Sequence, residues 1–70
     1  MTNSDKSYKL LNSIIEPLES KYGYINNVET LKEGRTNFKY EVMFCNNENK
    51  TTVKYFEVYL GTEYVKMLKK

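Results

Sequence analysis

TNFKYEVMFC, residues 36–45, alternates between two sets of side chains. Phe38, Tyr40, Val42 and Phe44 fall on one parity; Lys39, Glu41, Met43 and Cys45 fall on the other. A period of two belongs to a β-strand, whose successive side chains point to opposite faces. The stretch therefore predicts a strand with Phe38, Tyr40, Val42 and Phe44 facing a core.

Working outward, Asn46-Asn47-Glu48-Asn49-Lys50 predicts a hairpin loop, because asparagine tolerates left-handed backbone angles. Residues 51–60, TTVKYFEVYL, predict a further strand. Its best inward set is Phe56, Val58 and Leu60, which sends Val53, Tyr55, Glu57 and Tyr59 outward; a bulge near Tyr55 would swap the two faces. Gly61 ends the run, and Thr62 is placed to cap a short helix over Glu63–Lys69. Lys66, Lys69 and Lys70 suit the negative end of such a helix.

Upstream, residues 24–32, YINNVETLK, predict a strand weakened by Asn26 and Asn27, and Glu33-Gly34 predicts a turn. Residues 4–22 predict a helix, with Tyr8, Leu11, Ile14, Ile15, Leu18 and Tyr22 on one face. Thr2 with Asp5, or Ser4, offers the N-cap. Pro17 removes a donor and crowds the carbonyl of Ser13, so it predicts a kink or an early end. Gly23 closes the element. The expected fold class is α+β: an N-terminal helix packed on a three-stranded antiparallel β-meander, with a short C-terminal helix. The order is α-β-β-β-α, and residues 1–70 form one domain.

Seventy residues lie near the lower limit for folding alone. Disulfides cannot help, since Cys45 is the single cysteine, and zinc is unsupported without histidine or a cysteine pair. A partner or a second copy remains as the source of added burial. The 11 basic and 9 acidic residues leave a formal net charge of +2, and only Arg35 is arginine. That balance is poor for base-specific reading of nucleic acid, which favours arginine. The polar start of the chain lacks the apolar core of a signal peptide, and no run reaches the ~20 apolar residues of a membrane helix. With a lone cysteine, these features predict a cytoplasmic protein. Abundant Lys, Asn, Ile and Tyr match the codon bias of low-GC bacteria and their phages.

The same inventory argues against an enzyme. Histidine, the commonest general base, is missing, and no Ser-His or Cys-His pair exists. The glycines at 23, 34 and 61 are isolated, so there is no phosphate-cradling loop. Asp5 is the only aspartate and the eight glutamates are scattered singly. Nothing calls for a cofactor. Cys45 reads as a small packing residue near a strand end, or as a reactive thiol if a cation stood beside it, and Met43 is the kind of residue that serves packing as well as contact surfaces. The α-β-β-β-α order resembles the double-stranded-RNA-binding domain, which opens its second helix with a basic motif. Gly61-Thr62-Glu63-Tyr64-Val65-Lys66 departs from that motif, and the chain is not assigned to the family.

The seven tyrosines are the compositional excess. One helix cannot cover both faces of a sheet, and the outward set retains apolar and aromatic groups among its charges. Met43, Val53, Tyr55 and Tyr59 are therefore the candidate partner-binding residues. The expected function is a small non-enzymatic protein-binding module, an inhibitor or adaptor of phage or low-GC bacterial type. Its expected partner is another protein or a second copy of itself. The alternative is a nucleic-acid-binding domain of modest specificity using Lys50, Lys54, Lys66, Lys69 and Lys70.

Overall fold

A computed structural model describes residues 2–69. Helix α1 spans Asn3–Tyr22, and strands β1 (Tyr24–Glu33), β2 (Asn37–Cys45), β3 (Thr51–Tyr59) and β4 (Tyr64–Leu68) follow. The strands form one antiparallel sheet in the order β1-β2-β3-β4, and α1 packs across one face of it. The α+β class, the N-terminal helix and the antiparallel pairing of the three expected strands agree with the sequence; the meander has a fourth strand, which takes the place of the expected C-terminal helix.

The expected helix over Glu63–Lys69 is instead β4. Seven residues are too few to sustain a helix without strong packing, whereas β3 offers an open edge. Residues 60–63 form a tight turn, closed by a bond from the Glu63 amide to the Leu60 carbonyl at 3.2 Å. Glu63, not Gly61, takes the left-handed angle, at φ 51°. The strand then lays Val65 and Met67 beside Val58 and Phe56 on the helix side of the sheet. With this strand in place, the likeness in order to the double-stranded-RNA-binding domain ends after β3.

α1 starts at Thr2, whose hydroxyl accepts from the Asp5 amide at 3.1 Å. It runs unbroken past Pro17, so of the two outcomes expected there, a kink or an early end, the early end does not occur. Pro17 sits on the exposed side, where water can reach the Ser13 carbonyl that it leaves without a donor. The helix stops at Gly23, at φ 104°, whose amide bonds the Glu19 carbonyl at 2.9 Å. Only glycine fits here: a Cβ would lie 2.2 Å from the Cys45 carbonyl oxygen, besides straining the backbone. The Glu19 carboxylate then accepts from the Ile25 amide at 3.1 Å, tying the helix end to the start of β1.

The core is Leu11 and Ile15 from α1, Phe38, Tyr40, Val42 and Phe44 from β2, and Phe56 and Val58 from β3. Leu18 and Tyr22 pack against it, but Tyr8 and Ile14 are exposed, against expectation. At 100° per residue the buried stripe centres on Ser7, Leu11, Ile15, Leu18 and Tyr22, and Ile14 falls on its flank. Ser7 is fully buried, paired with Tyr40.

The β2–β3 ladder runs without a slip from Asn37↔Tyr59 to Cys45↔Thr51, so no bulge at Tyr55 exchanges the faces. Asn46 builds the loop: its side-chain oxygen accepts from the amides of Glu48 and Lys50 at 2.9 and 3.0 Å. β1 carries two irregularities, between Ile25 and Asn27 and between Thr30 and Lys32. Each inserts one residue, Asn26 or Leu31, and so keeps Ile25 and Val28 on the core side.

Candidate protein-binding face

Period-two geometry on four registered strands fixes the face turned away from α1. Read across the strands, its first row is Tyr24, Cys45 and Thr51. The second is Asn27, Met43 and Val53. The third is Glu29, Glu41, Tyr55 and Leu68. The fourth is Lys32, Lys39, Glu57 and Lys66. The last is Asn37, Tyr59 and Tyr64.

All four candidate residues stand on this face. Met43 is directly opposite Val53, and Tyr55 follows Val53 two residues along β3. Asn26 turns its side-chain amide toward the Met43 sulfur at 3.7 Å, a weak contact. Tyr59 lies beyond Glu57, so the candidate set is divided by the charged row. The Tyr59 hydroxyl donates to the Glu57 carboxylate at 2.7 Å. That bond holds the Glu57 carboxyl below its usual range, helped by Asn37 and then by the field of Lys39 and Lys32. The same bond raises the Tyr59 phenol.

β4 adds residues that the sequence reading assigned elsewhere. Tyr64 stacks on Tyr59, with centroids 6.2 Å apart and planes at 21°, and Leu68 lies opposite Tyr55. Tyr24 stands half exposed at the other end, its phenol raised first by its hydrogen bond with Cys45. The signal for β4 was the alternation of Tyr64, Lys66 and Leu68 with Val65 and Met67. β4 stops at the Tyr55↔Leu68 pair, so Thr51–Lys54 has no strand on that side. The notch left there, of about 520 Å³, is lined by Val53, Tyr55 and Leu68 among others.

The five lysines of the nucleic-acid alternative are dispersed. Lys50 ends the β2–β3 loop, and Lys54 lies on the helix side with its ammonium 5.2 Å from the Tyr22 ring centre. Lys66 is on the opposite face and Lys69 follows β4, while Lys70 lies outside the described residues. A second groove, of about 720 Å³, opens between α1 and the β3–β4 turn, with Lys6, Lys9, Leu10 and Leu60 in its walls. It contains none of the candidate site residues. Among the described residues no cluster of histidine, cysteine or carboxylate side chains is arranged to hold a metal, and no helix is long and apolar enough to cross a membrane.

These elements define an α+β domain with one sheet face covered by a helix and the other bare. Compared with protein-family models, curated proteins and solved structures, the chain matches none.

Proposed function

We infer that the chain is a non-enzymatic protein-binding module, an inhibitor or adaptor, that engages its partner through the bare sheet face. The observation that carries this reading is the makeup of that face. A four-stranded sheet is about 19 Å wide and a helix about 10 Å across, so α1 covers much of one side and nothing of the other. The bare side holds Tyr24, Tyr55, Tyr59 and Tyr64 together with Met43, Val53 and Leu68. Tyrosine and methionine are enriched in interfaces because they offer large contact area with few rotatable bonds or adaptable packing.

Charge on the face favours a protein over a nucleic acid. Lys32, Lys39 and Lys66 are balanced by Glu29, Glu41 and Glu57, so the face is neutral and offers a phosphate backbone no net attraction. The test is Tyr55→Ser combined with Tyr59→Ser, probed by affinity capture from the source organism. The variant should keep the far-ultraviolet circular dichroism of the parent and lose the captured protein. A variant that captures normally, or that unfolds, would place these tyrosines outside the binding function.

A further inference from the structure

We propose that the bare face is a self-complementary surface and that its occupant is a second copy of this chain, stacked face to face about a two-fold axis. The inference rests on the reading of that face as a protein-binding surface and names the partner. It starts from the arrangement of charges. Glu29 and Glu41 are directly opposite one another on β1 and β2, and so are Lys32 and Lys39. Like charges in opposed positions of adjacent strands destabilise an isolated sheet. Here the two pairs are consecutive, giving an acidic row beside a basic row about 7 Å further along the strands.

A two-fold interface uses the same patch twice, so the patch must complement itself. Consider an axis in the plane between two stacked sheets, running across the strands between the acidic and basic rows. Rotation about it lays each strand over its own counterpart and exchanges the rows. Glu41 then faces Lys39 of the second copy, and Glu29 faces its Lys32. Tyr55 faces Glu57 of the other chain, Val53 faces Tyr59, and Leu68 covers the aliphatic stem of Lys66. Of the six charges in the two rows, Glu29, Glu41, Lys32 and Lys39 meet an opposite charge, Glu57 meets a hydroxyl and Lys66 lies under Leu68; beyond the rows, Met43 meets Asn37. Stacked sheets cross at about 30°, which separates the corners of the patch but keeps the β2 and β3 contacts together at the axis.

The area agrees with a weak dimer. Strands of 10, 9, 9 and 5 residues, at ~3.4 Å per residue and ~4.8 Å per strand, offer about 540 Å² per copy. Two copies would bury about 1,080 Å² at most, the size of a weak, transient interface. A different partner would need only to complement this surface; a surface that complements itself under one rotation is the particular requirement of a second copy.

The test uses the full chain in sedimentation equilibrium over a wide concentration range. The unaltered protein should pass from its single-chain mass of 8.3 kDa toward twice that value. Lys39→Glu sets acid against acid across the axis, and Glu41→Lys sets base against base. Each variant alone should stay at the single-chain mass while its circular dichroism is unchanged. Mixed in equal amounts, they should assemble with each other, because each supplies the row the other lacks. A parent that stays monomeric throughout, variants that dimerise as the parent does, or a mixture that remains unassembled would each overturn the proposal. If the parent is monomeric yet captures a different protein through Tyr55 and Tyr59, self-association fails and the protein-binding reading stands. If it does neither, both fail.

Discussion

The Ser7 and Tyr40 side-chain oxygens lie 2.7 Å apart, joining helix to sheet by a hydrogen bond between two buried residues. Tyr40 is 2% exposed and Ser7 0%, so neither hydroxyl has water as an alternative partner. A buried polar atom that loses its partner keeps its full desolvation cost, whereas removal of both partners leaves nothing unsatisfied. Tyr40→Phe and Ser7→Ala should each cost about 1–3 kcal/mol. The double variant should cost less than the sum of the two. A double-mutant cycle by urea unfolding measures the difference, and strict additivity would mean the two hydroxyls are not coupled.

The same burial makes the alkaline limb of stability a report on the core. Burial raises the Tyr40 phenol above its ordinary value of 10.0, with Ser7 opposing in part. Tyr24 and Tyr59 are raised as well. A group whose folded value is raised contributes stability that is fully present below its unfolded value and lost as pH rises through the folded one. Their contribution should therefore hold steady up to about pH 10 and fall above it. Urea midpoints measured from about pH 8 to about pH 11 check this, and Tyr40→Phe should flatten part of the decline. Glu57 acts at the other end, since its lowered carboxyl contributes above 4.5 and loses that contribution as pH falls through the folded value.

Neighbouring isoleucines should separate the inner and outer sides of the helix. Ile15 is fully buried and Ile14 is 42% exposed. Ile15→Ala should cost about 2–5 kcal/mol, enough to unfold a domain of this size at ordinary temperature. Ile14→Ala should cost well under half as much, because much of its side chain already meets water. Thermal melts of the two variants decide it, and equal losses would place the helix at a different rotation on the sheet.

Much of the candidate site was legible in residues 36–45 and 51–59 because strand faces follow from a local rule. Successive side chains alternate, so an inward Phe38, Tyr40, Val42 and Phe44 commits Met43 outward, and an inward Phe56 and Val58 commits Val53, Tyr55 and Tyr59. The helix from Thr2 to Gly23 was legible for a similar reason: a cap, a period and a terminating glycine all act within a few residues of one another.

What tertiary structure alone decided depends on contacts between distant segments. Tyr64–Leu68 is a strand because the open edge of β3 supplies the hydrogen bonds that five residues cannot make among themselves. The split between Ile14 and Ile15 is a rotation of α1 set by packing, which hydrophobic spacing leaves free over tens of degrees. Ser7 was unremarkable in the chain until the fold carried Tyr40 to it across 33 residues. The opposed acidic and basic rows exist only in the register of β1 on β2, which two inserted residues in β1 set. Local chemistry thus determined the elements and their faces, while the pairing of those elements decided which side chains meet, because register and helix rotation are properties of two segments at once.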